Sequence, residues 1–281
     1  MSIRRVRFSE LDIKNLASKV PPEEPIDRVT DFSKYLVQKP WGSEYLMFYN
    51  DFVEIWSLNI KQDQTTSTHC HPNKKTALIL LSGEAVFTTL NGDLHLKPLD
   101  AVVIEAGVFH STKAVSPEGI KLIEVETPPA KHDLIRLRDK YGREGLSYEG
   151  LNKMTVSEGE CIRFPQVSDG DTVENQLEFS RLCIKKIGPH DLKGLDDKHS
   201  NYLSDWDLLI VLEGVIYGPE NDEIYGVAEV LRAEDILTTK DQNKIFNLTV
   251  MGIKDESLTE QSKQVEKKKA SRSLMSKIIS R

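Results

Sequence analysis

Cysteine, long apolar runs and positive charge are all scarce in this sequence, and each shortage disfavours a class of protein. The three cysteines among the 281 residues are scattered, so we expect no disulfide framework. We expect the protein to reside in a reducing compartment. No apolar run exceeds about five residues, which argues against a membrane-spanning helix. The opening Met-Ser-Ile-Arg-Arg-Val-Arg lacks the apolar core of a secretory signal, so a cytoplasmic location is expected.

Charge is unevenly distributed along the chain. The net charge is −7, yet residues 254–281 carry eight Lys/Arg against four Asp/Glu, which leaves the preceding residues strongly acidic. Phosphate contacts need a basic surface, so nucleic acid is disfavoured as the main partner. Residues 255–281 are predicted to form a basic tail with a short helix.

Length and composition fit a soluble protein of two domains. The chain is 39% hydrophobic and 29% charged, and 281 residues suffice for two domains of about 100–150 residues each. Residues 1–36 are predicted to be an arm with a helix over 10–19, capped by Ser9, and a proline-rich break at 21–25. We expect this arm to pack across a barrel or a neighbouring subunit.

Short β-type segments follow the arm, and turn residues separate them. Asn91-Gly92 is the clearest hairpin signal among these turns. The spacing is typical of an all-β barrel or sandwich rather than of alternating strands and helices. The expected strands cover residues 44–49, 53–60, 76–81, 85–90, 94–96, 101–104, 111–115 and 120–127.

Three histidines give the strongest chemical signal. His69 and His71 lie on the same face of an extended strand, where two imidazoles can hold one metal ion, and His110 can supply a third. The order H-x-H, Gly83 and a later G-x-x-H resembles the two motifs of the cupin superfamily. The resemblance implies a jelly-roll (double-stranded β-helix) barrel over 37–145 that holds a divalent Zn, Mn, Fe or Ni ion.

The sequence departs from the cupin pattern at three positions. Thr76 stands where the family has a metal-binding Glu, Glu105 where it has a Pro, and Leu99 where it has a Gly. A bound ion would therefore have three neutral ligands and no obligatory carboxylate. The alternative is a barrel that keeps the histidines as polar core residues without metal.

Two flanking segments narrow the resemblance. Residues 39–45 read K-P-W-G-S-E-Y, and residues 133–143 read D-L-I-R-L-R-D-K-Y-G-R. Both resemble the cupin part of type II mannose-6-phosphate isomerases, over residues 38–145, and a helical extension is expected up to residue 145. The resemblance implies an isomerase- or epimerase-like enzyme for a sugar phosphate or sugar nucleotide of surface polysaccharide metabolism, and a homodimer.

The second half of the sequence repeats part of this plan. After a linker at 145–150, residues 208–214 echo residues 77–83. The positions that match the three histidines hold other residues, namely Ser200, Tyr202 and Ile245. A second, degenerate barrel without metal ligands is therefore predicted over 151–254, and an unrelated β-rich domain is the alternative.

Three classes of function use such a metal site. A sugar-phosphate isomerase needs a base and cations for the phosphate. The candidates near the motifs are Glu105, Glu124 and Lys74 as catalytic groups, and Lys75 and Arg136 as substrate ligands. A three-histidine iron dioxygenase fits the absence of the Glu at Thr76. A non-catalytic sugar-binding or regulatory cupin fits the loss of several family residues.

The remaining cysteine and histidine side chains are predicted to be structural. Cys70 lies between two histidines but on the opposite face of their strand, so it is expected to be a packed core thiol. The isolated histidines are expected at the surface or in structural roles, and these are His95, His132, His190 and His199.

Overall fold

Strands are the main regular element of the structure, a computed structural model that describes residues 1–157, 159, 161–187, 205–217, 223–236 and 245–257. Within these residues, helix α1 (Glu10–Ala17) and a 3-10 turn (Leu151–Lys153) accompany the strands of the first half. Those strands are β1 (Ile3–Val6), β2 (Tyr35–Lys39), β3 (Gly42–Tyr49), β4 (Glu54–Ile60), β5 (Thr68–Cys70), β6 (Lys75–Ser82), β7 (Ala85–Thr89), β8 (Gly92–Leu96), β9 (Ala101–Ile104), β10 (His110–Ala114), β11 (Ile120–Thr127), β12 (Ile135–Arg138) and β13 (Met154–Val156). The predicted all-β class is confirmed, and each expected strand lies within two residues of its predicted bounds.

The strands of the first half form two facing sheets. In the described residues one sheet has the order β1-β9-β6-β11-β4-β3-β2-β13, and the other has the order β12-β5-β10-β7-β8. Their inner faces share an apolar core in which Trp56, Leu78 and Leu122 of the first sheet meet Phe87 and Leu96 of the second. The result is a jelly-roll barrel whose interior holds the predicted site.

The N-terminal arm is anchored on the turn that carries His110. Helix α1 begins after the N-cap Ser9, as predicted, and Asp12 completes a capping box by accepting a 3.0 Å hydrogen bond from the Ser9 backbone N–H. The other oxygen of the buried Asp12 carboxylate accepts a 2.9 Å hydrogen bond from the Phe109 backbone N–H. Because Phe109 precedes His110, the arm holds a predicted metal ligand in place.

The helical extension expected up to residue 145 is wrong. Residues 128–145 are all described, and Ile135–Arg138 form strand β12 along the edge of β5. The open edge of β5 offers backbone hydrogen bonds to a neighbouring strand, and the buried Arg136 alternates with less buried residues at the period of a strand. The expected linker at 145–150 also packs on the barrel, where Tyr148 is buried.

The second half forms one sheet in the described residues. Its strands have the order β14-β15-β19-β16-β17, with β18 also paired to β16, so a second barrel stays a prediction. The elements are β14 (Thr172–Leu177), β15 (Ser180–Lys186), β16 (Leu208–Tyr217), β17 (Ile224–Tyr225), β18 (Val230–Arg232), helix α2 (Ala233–Ile236) and β19 (Ile245–Asp255). Ser200, Tyr202 and residues 258–281 of the predicted tail lie outside the described residues. No described helix is long and apolar enough to cross a membrane.

The second-half sheet covers the outer face of the first sheet of the barrel. Ile79 of β6 and Ile123 of β11 belong to the same apolar cluster as Leu208, Ile210 and Ile253. Strand β6 is therefore buried on both faces, which explains why its sequence is an unbroken apolar run rather than an alternating one.

Replacing Asp12 with Ala should lower the free energy of unfolding by about 1–3 kcal/mol, because the Ser9 and Phe109 N–H groups lose their acceptor. Urea unfolding followed by circular dichroism measures this change. Lys14→Ala, at an exposed position of the same helix, should change stability by less than about 0.5 kcal/mol. An Asp12→Ala protein as stable as the parent would contradict the anchoring role.

Replacing Ile79 with Ala should destabilise both halves together by about 2–5 kcal/mol, because the shared cluster loses a fully buried side chain. Hydrogen exchange read by mass spectrometry on peptides of β6 and β16 measures each half separately. Ile224→Ala, at an exposed position of the second half, is the matched control. Unchanged protection of β16 in Ile79→Ala would show that the halves unfold independently.

Candidate metal centre

The three predicted histidines converge inside the barrel. His69 lies in β5, His71 directly follows that strand, and His110 begins β10 as the antiparallel partner of His69. Their ring centroids are 5.0 Å (His69–His71), 4.6 Å (His69–His110) and 5.8 Å (His71–His110) apart. One ring nitrogen of each lies within 4.8 Å of the others, so the three donors can share one cation.

Backbone carbonyls select the tautomer of each histidine. The Nδ1–H groups donate to Ser67 O at 2.8 Å from His69, to Asp133 O at 2.7 Å from His71, and to Val108 O at 3.0 Å from His110. Because a carbonyl only accepts, each Nδ1 carries the proton and each Nε2 keeps a lone pair. This is the arrangement that metal-binding histidines use to fix their ring orientation.

The inward-facing nitrogens fit a metal ion. His71 Nε2 and His110 Nε2 are buried and have no hydrogen-bond partner among the described residues. Burial lowers the pKa of all three histidines, that of His110 to about 4, so the rings are neutral at pH 7. A neutral imidazole without a donor on Nε2 is the form that binds divalent metals.

Two carboxylates of β11 face the same space. Glu124 and Glu126 are two residues apart on the strand, and Glu126 Oε1 lies 3.9 Å from His71 Nε2. Lys74 Nζ is 2.9 Å from Glu126 Oε1, and Lys131 Nζ lies 3.5 Å from Glu126 Oε1 and 3.6 Å from Glu124 Oε2. These pairs neutralise charge that would otherwise be buried alone.

The two carboxylates differ in proton affinity. Burial raises the pKa of Glu124 to about 7, against the opposing attraction of Lys131. Burial also opposes ionisation of Glu126, but Lys131 and Lys74 outweigh it and lower the pKa of that carboxyl. Burial disfavours the charged form of Lys131, yet Glu126, Glu44 and Glu124 together raise its pKa. Glu126 is therefore a carboxylate at neutral pH.

A second set of buried charges surrounds Glu149. Lys39 Nζ pairs with Glu149 and lies 3.3 Å from Glu44 Oε1, and the ammonium also sits 3.8 Å from the Tyr148 ring centroid. Arg143 Nη1 is 2.7 Å from Glu149 Oε1. Lys131 Nζ is 3.5 Å from Glu44 Oε1, which links this set to the carboxylates beside His71.

These groups enclose a cavity of about 50 Å³. Among the described residues, four cationic and three anionic side chains line it, with the three histidines and apolar barrel residues. The charged residues of the lining are Lys39, Lys131, Arg136, Arg143, Glu44, Glu124 and Glu126. A neighbouring cavity of about 270 Å³ shares Arg136, Arg143 and Tyr148 with it.

Two of the predicted site residues do not reach the cavity. The Glu105 side chain is 54% exposed and accepts a 3.0 Å hydrogen bond from the Phe8 backbone N–H, so it holds the N-terminal arm. Lys75 Nζ pairs with Glu229 and donates to Val227 O at 3.3 Å on the opposite face of β6. Neighbours in a strand face opposite ways, so Lys75 cannot accompany Lys74 into the barrel.

The other predicted site residues lie in or beside the cavity. Glu124 and Arg136 line it, and Lys74 contacts Glu126. The Arg136 guanidinium donates to the backbone carbonyls of Leu146 and Ser147, so part of its hydrogen-bonding capacity is already used by this segment.

Sequence reasoning assigned no role to most of the charged groups around the histidines. Several of them had a signal: Lys39, Glu44 and Arg143 stand in the flanking segments 39–45 and 133–143, and Glu126 follows Glu124 by two residues in a predicted strand and must share its face. Lys131, Tyr148 and Glu149 had none, because only tertiary contacts bring them there.

The structural roles expected for other residues are supported where the chain is described. Cys70 is fully buried, and burial raises the pKa of its thiol to about 12. His132 Nε2 lies 2.8 Å from Val29 O, in hydrogen-bonding range, and His95 is exposed. His190 and His199 lie outside the described residues.

Comparison with known proteins agrees with the topology. Residues 56–126 match the family model of the cupin domain. The first barrel has the cupin fold. The predicted likeness of this cupin barrel to type II mannose-6-phosphate isomerases stays a prediction, and no curated protein matches the chain.

Solved structures resemble parts of the chain. KdgF from Halomonas sp. is 15% identical over 33% of this chain and 84% of its own, with a TM-score of 0.31. An uncharacterized conserved protein with a double-stranded β-helix domain from Klebsiella pneumoniae is 21% identical over 34% of this chain and 84% of its own, with a TM-score of 0.32. The DMSP lyase DddQ from Ruegeria pomeroyi is 18% identical over 31% of this chain and 44% of its own, with a TM-score of 0.29. At such values the likeness carries no information on activity.

Replacing His71 with Ala should reduce the Zn²⁺ that remains bound after dialysis from about one ion per chain to well below one, because the site loses one of its three imidazole ligands. Elemental analysis after dialysis against buffered Zn²⁺ measures the stoichiometry. His95→Ala removes an exposed imidazole and should leave the Zn²⁺ stoichiometry unchanged. Retention of a full equivalent by His71→Ala would contradict the site.

Proposed function

We propose that this chain is a metal-dependent enzyme with isomerase- or epimerase-like chemistry on a sugar phosphate or sugar nucleotide. The observation that carries the proposal is the meeting of three unprotonated Nε2 atoms and two carboxylates in one buried cavity. His69, His71 and His110 would hold a divalent ion, which would supply Lewis-acid polarisation of a carbonyl or hydroxyl oxygen of the substrate.

Glu124 is placed to move the proton in such a reaction. Its carboxyl group lines the cavity, and Lys131 Nζ at 3.6 Å holds one of its oxygens. The Glu124 carboxylate would take a proton from the carbon next to the substrate carbonyl and return it to the carbonyl carbon, while the hydroxyl proton of the first carbon passes to the former carbonyl oxygen. Lys131 keeps the carboxylate oriented, because its ammonium also contacts Glu44 and Glu126.

The cavity favours an anionic substrate. Among the described lining residues, cations outnumber carboxylates by four to three, and a divalent ion increases this excess. The inner cavity of about 50 Å³ admits an ion and a few atoms or waters. The neighbouring cavity of about 270 Å³ has room for the rest of the substrate, and its lining carries more carboxylates than cations, which suits the neutral part of a sugar phosphate. A phosphate at the boundary between the cavities would compete with Glu149 for the guanidinium groups of Arg136 and Arg143.

The set of three neutral imidazoles also favours a second candidate, an iron dioxygenase. Its signature is oxygen uptake rather than proton exchange. A non-catalytic sugar-binding cupin would show neither, but would bind a sugar nucleotide tightly. The homodimer stays a prediction.

Metal-loaded protein should exchange deuterium from heavy water into C1 or C2 of at least one hexose, pentose or heptose phosphate, and NMR detects this exchange. Glu124→Gln should reduce exchange at least about 100-fold while one metal ion stays bound, because the proton carrier is lost. Glu118→Gln, at an exposed position, is the matched control and should exchange normally.

The other outcomes of this experiment change either the reaction or the role of Glu124. Oxygen uptake with no exchange would establish the dioxygenase. Tight binding of a sugar nucleotide with neither reaction would establish the binding protein. Full exchange by Glu124→Gln would remove Glu124 from the mechanism.

A further inference from the structure

The Glu126 carboxylate is fully buried and only half of it is paired. Lys74 and Lys131 both contact Oε1, at 2.9 Å and 3.5 Å. Oε2 is buried and has no hydrogen-bond partner among the described residues. A buried anionic oxygen without a donor is costly, and in the structure no described side chain donates to Oε2, so a cation at this position would be stabilised.

The neighbouring unpaired atoms share this requirement. His71 Nε2 and His110 Nε2 are also buried without a partner in the described part of the chain, and their Nδ1 protons are already donated to carbonyls. These two nitrogens and Glu126 Oε2 are all acceptors, so they cannot satisfy one another. A cation among them satisfies all three at once.

We propose that Glu126 is a fourth, negatively charged ligand of the cation that His69, His71 and His110 bind. This inference rests on the metal site of the proposed function but not on its reaction. With Glu126 of β11 as a ligand, the ion is bound by three neutral nitrogens and one anionic oxygen, rather than by three neutral nitrogens alone.

The distance between the groups supports this assignment. Two ligands at about 2.1 Å from one ion lie roughly 3–4 Å apart. The Glu126 carboxyl group is already near the histidines, because its lysine-paired Oε1 is 3.9 Å from His71 Nε2. His69, His71 and His110 form one close group, and His71, Glu124 and Glu126 form another that shares His71. Rotation about the Glu126 side-chain torsions brings an oxygen from the second group toward the first.

A second ion between His71, Glu124 and Glu126 is the competing arrangement. Lys131 contacts both of these carboxylates and Lys74 contacts Glu126, so an ion between the two carboxylates would lie beside ammonium groups that repel it. One shared ion needs only the unpaired Glu126 oxygen. The number of ions bound separates the two arrangements.

The strand register shows where a carboxylate could be placed by mutation to replace that of Glu126. Thr76 of β6 is the direct cross-strand partner of Glu126, and its buried Oγ1 also has no hydrogen-bond partner among the described residues. Directly opposed side chains in an antiparallel pair have their Cβ atoms about 5 Å apart on the same face. A glutamate at position 76 would therefore enter the same space as Glu126.

Titration of the full chain with Mn²⁺ by calorimetry and electron paramagnetic resonance tests the proposal. Mn²⁺ prefers oxygen ligands more strongly than Ni²⁺ does. Glu126→Gln should therefore lower the affinity for Mn²⁺ about 10–100-fold and the affinity for Ni²⁺ by a smaller factor. Glu124→Gln, on the same strand and face, should change Mn²⁺ affinity less than about threefold. The exchange variant, Thr76→Glu with Glu126→Thr, should recover most of the affinity that Glu126→Gln loses.

Several results would overturn the inference. The first is a Glu126→Gln protein that binds Mn²⁺ as tightly as the wild type does. The second is a wild-type chain that binds two ions and a Glu126→Gln chain that binds one. If Glu126→Gln does not fold, a crystal structure of the Mn²⁺-loaded wild type decides, and an ion beyond about 3 Å from both Glu126 oxygens rejects the role. Metal retained by His71→Ala would instead remove the three-histidine site itself, so the two failures are distinct.

Discussion

Charge that is buried in a barrel must be neutralised by neighbouring charge, and this constraint organises the interior of the cupin domain. Among the described residues, the side chains concerned are Lys39, Lys74, Lys131, Arg136, Arg143, Glu44, Glu124, Glu126, Asp139 and Glu149. Removing one of them would disturb the charge balance of its buried partners. The histidines can remain neutral beside these ionised groups, because the groups compensate one another's charge.

The backbone supplies the other half of the site. Three carbonyls accept the Nδ1 protons of the histidines, and the arm that begins the chain fixes the turn before His110 through Asp12. Side chains with many rotamers thus have one orientation before any ligand arrives. Such preorganisation lowers the cost of assembling a site at the moment of binding.

Much of the fold could be predicted from the sequence because alternation and turn residues are local signals. They located eight strands of the barrel, the cap of α1 and the shared face of His69 and His71. The buried charged and aromatic groups around the histidines could not be found in the same way. Lys131, Tyr148 and Glu149 come from irregular segments, and only tertiary packing brings them to the cavity.

The errors have equally specific causes. Glu105 is close to His110 in sequence, but its side chain lies outside the barrel, where it accepts a hydrogen bond from the Phe8 backbone N–H. The segment up to residue 145 was expected to be helical, and instead the unpaired edge of β5 made Ile135–Arg138 a strand. In both cases a backbone group elsewhere in the chain determined the outcome.

The double burial of β6 has a consequence for how this protein can diverge. Leu78 and Leu80 pack inside the barrel, while Ala77 and Ile79 pack against the second half. A change in the strand therefore disturbs the pocket or the seam between the halves, and few substitutions will be neutral. The segments around Lys131 and Tyr148 carry site residues outside the first sheet, so new ligand specificities should evolve there first.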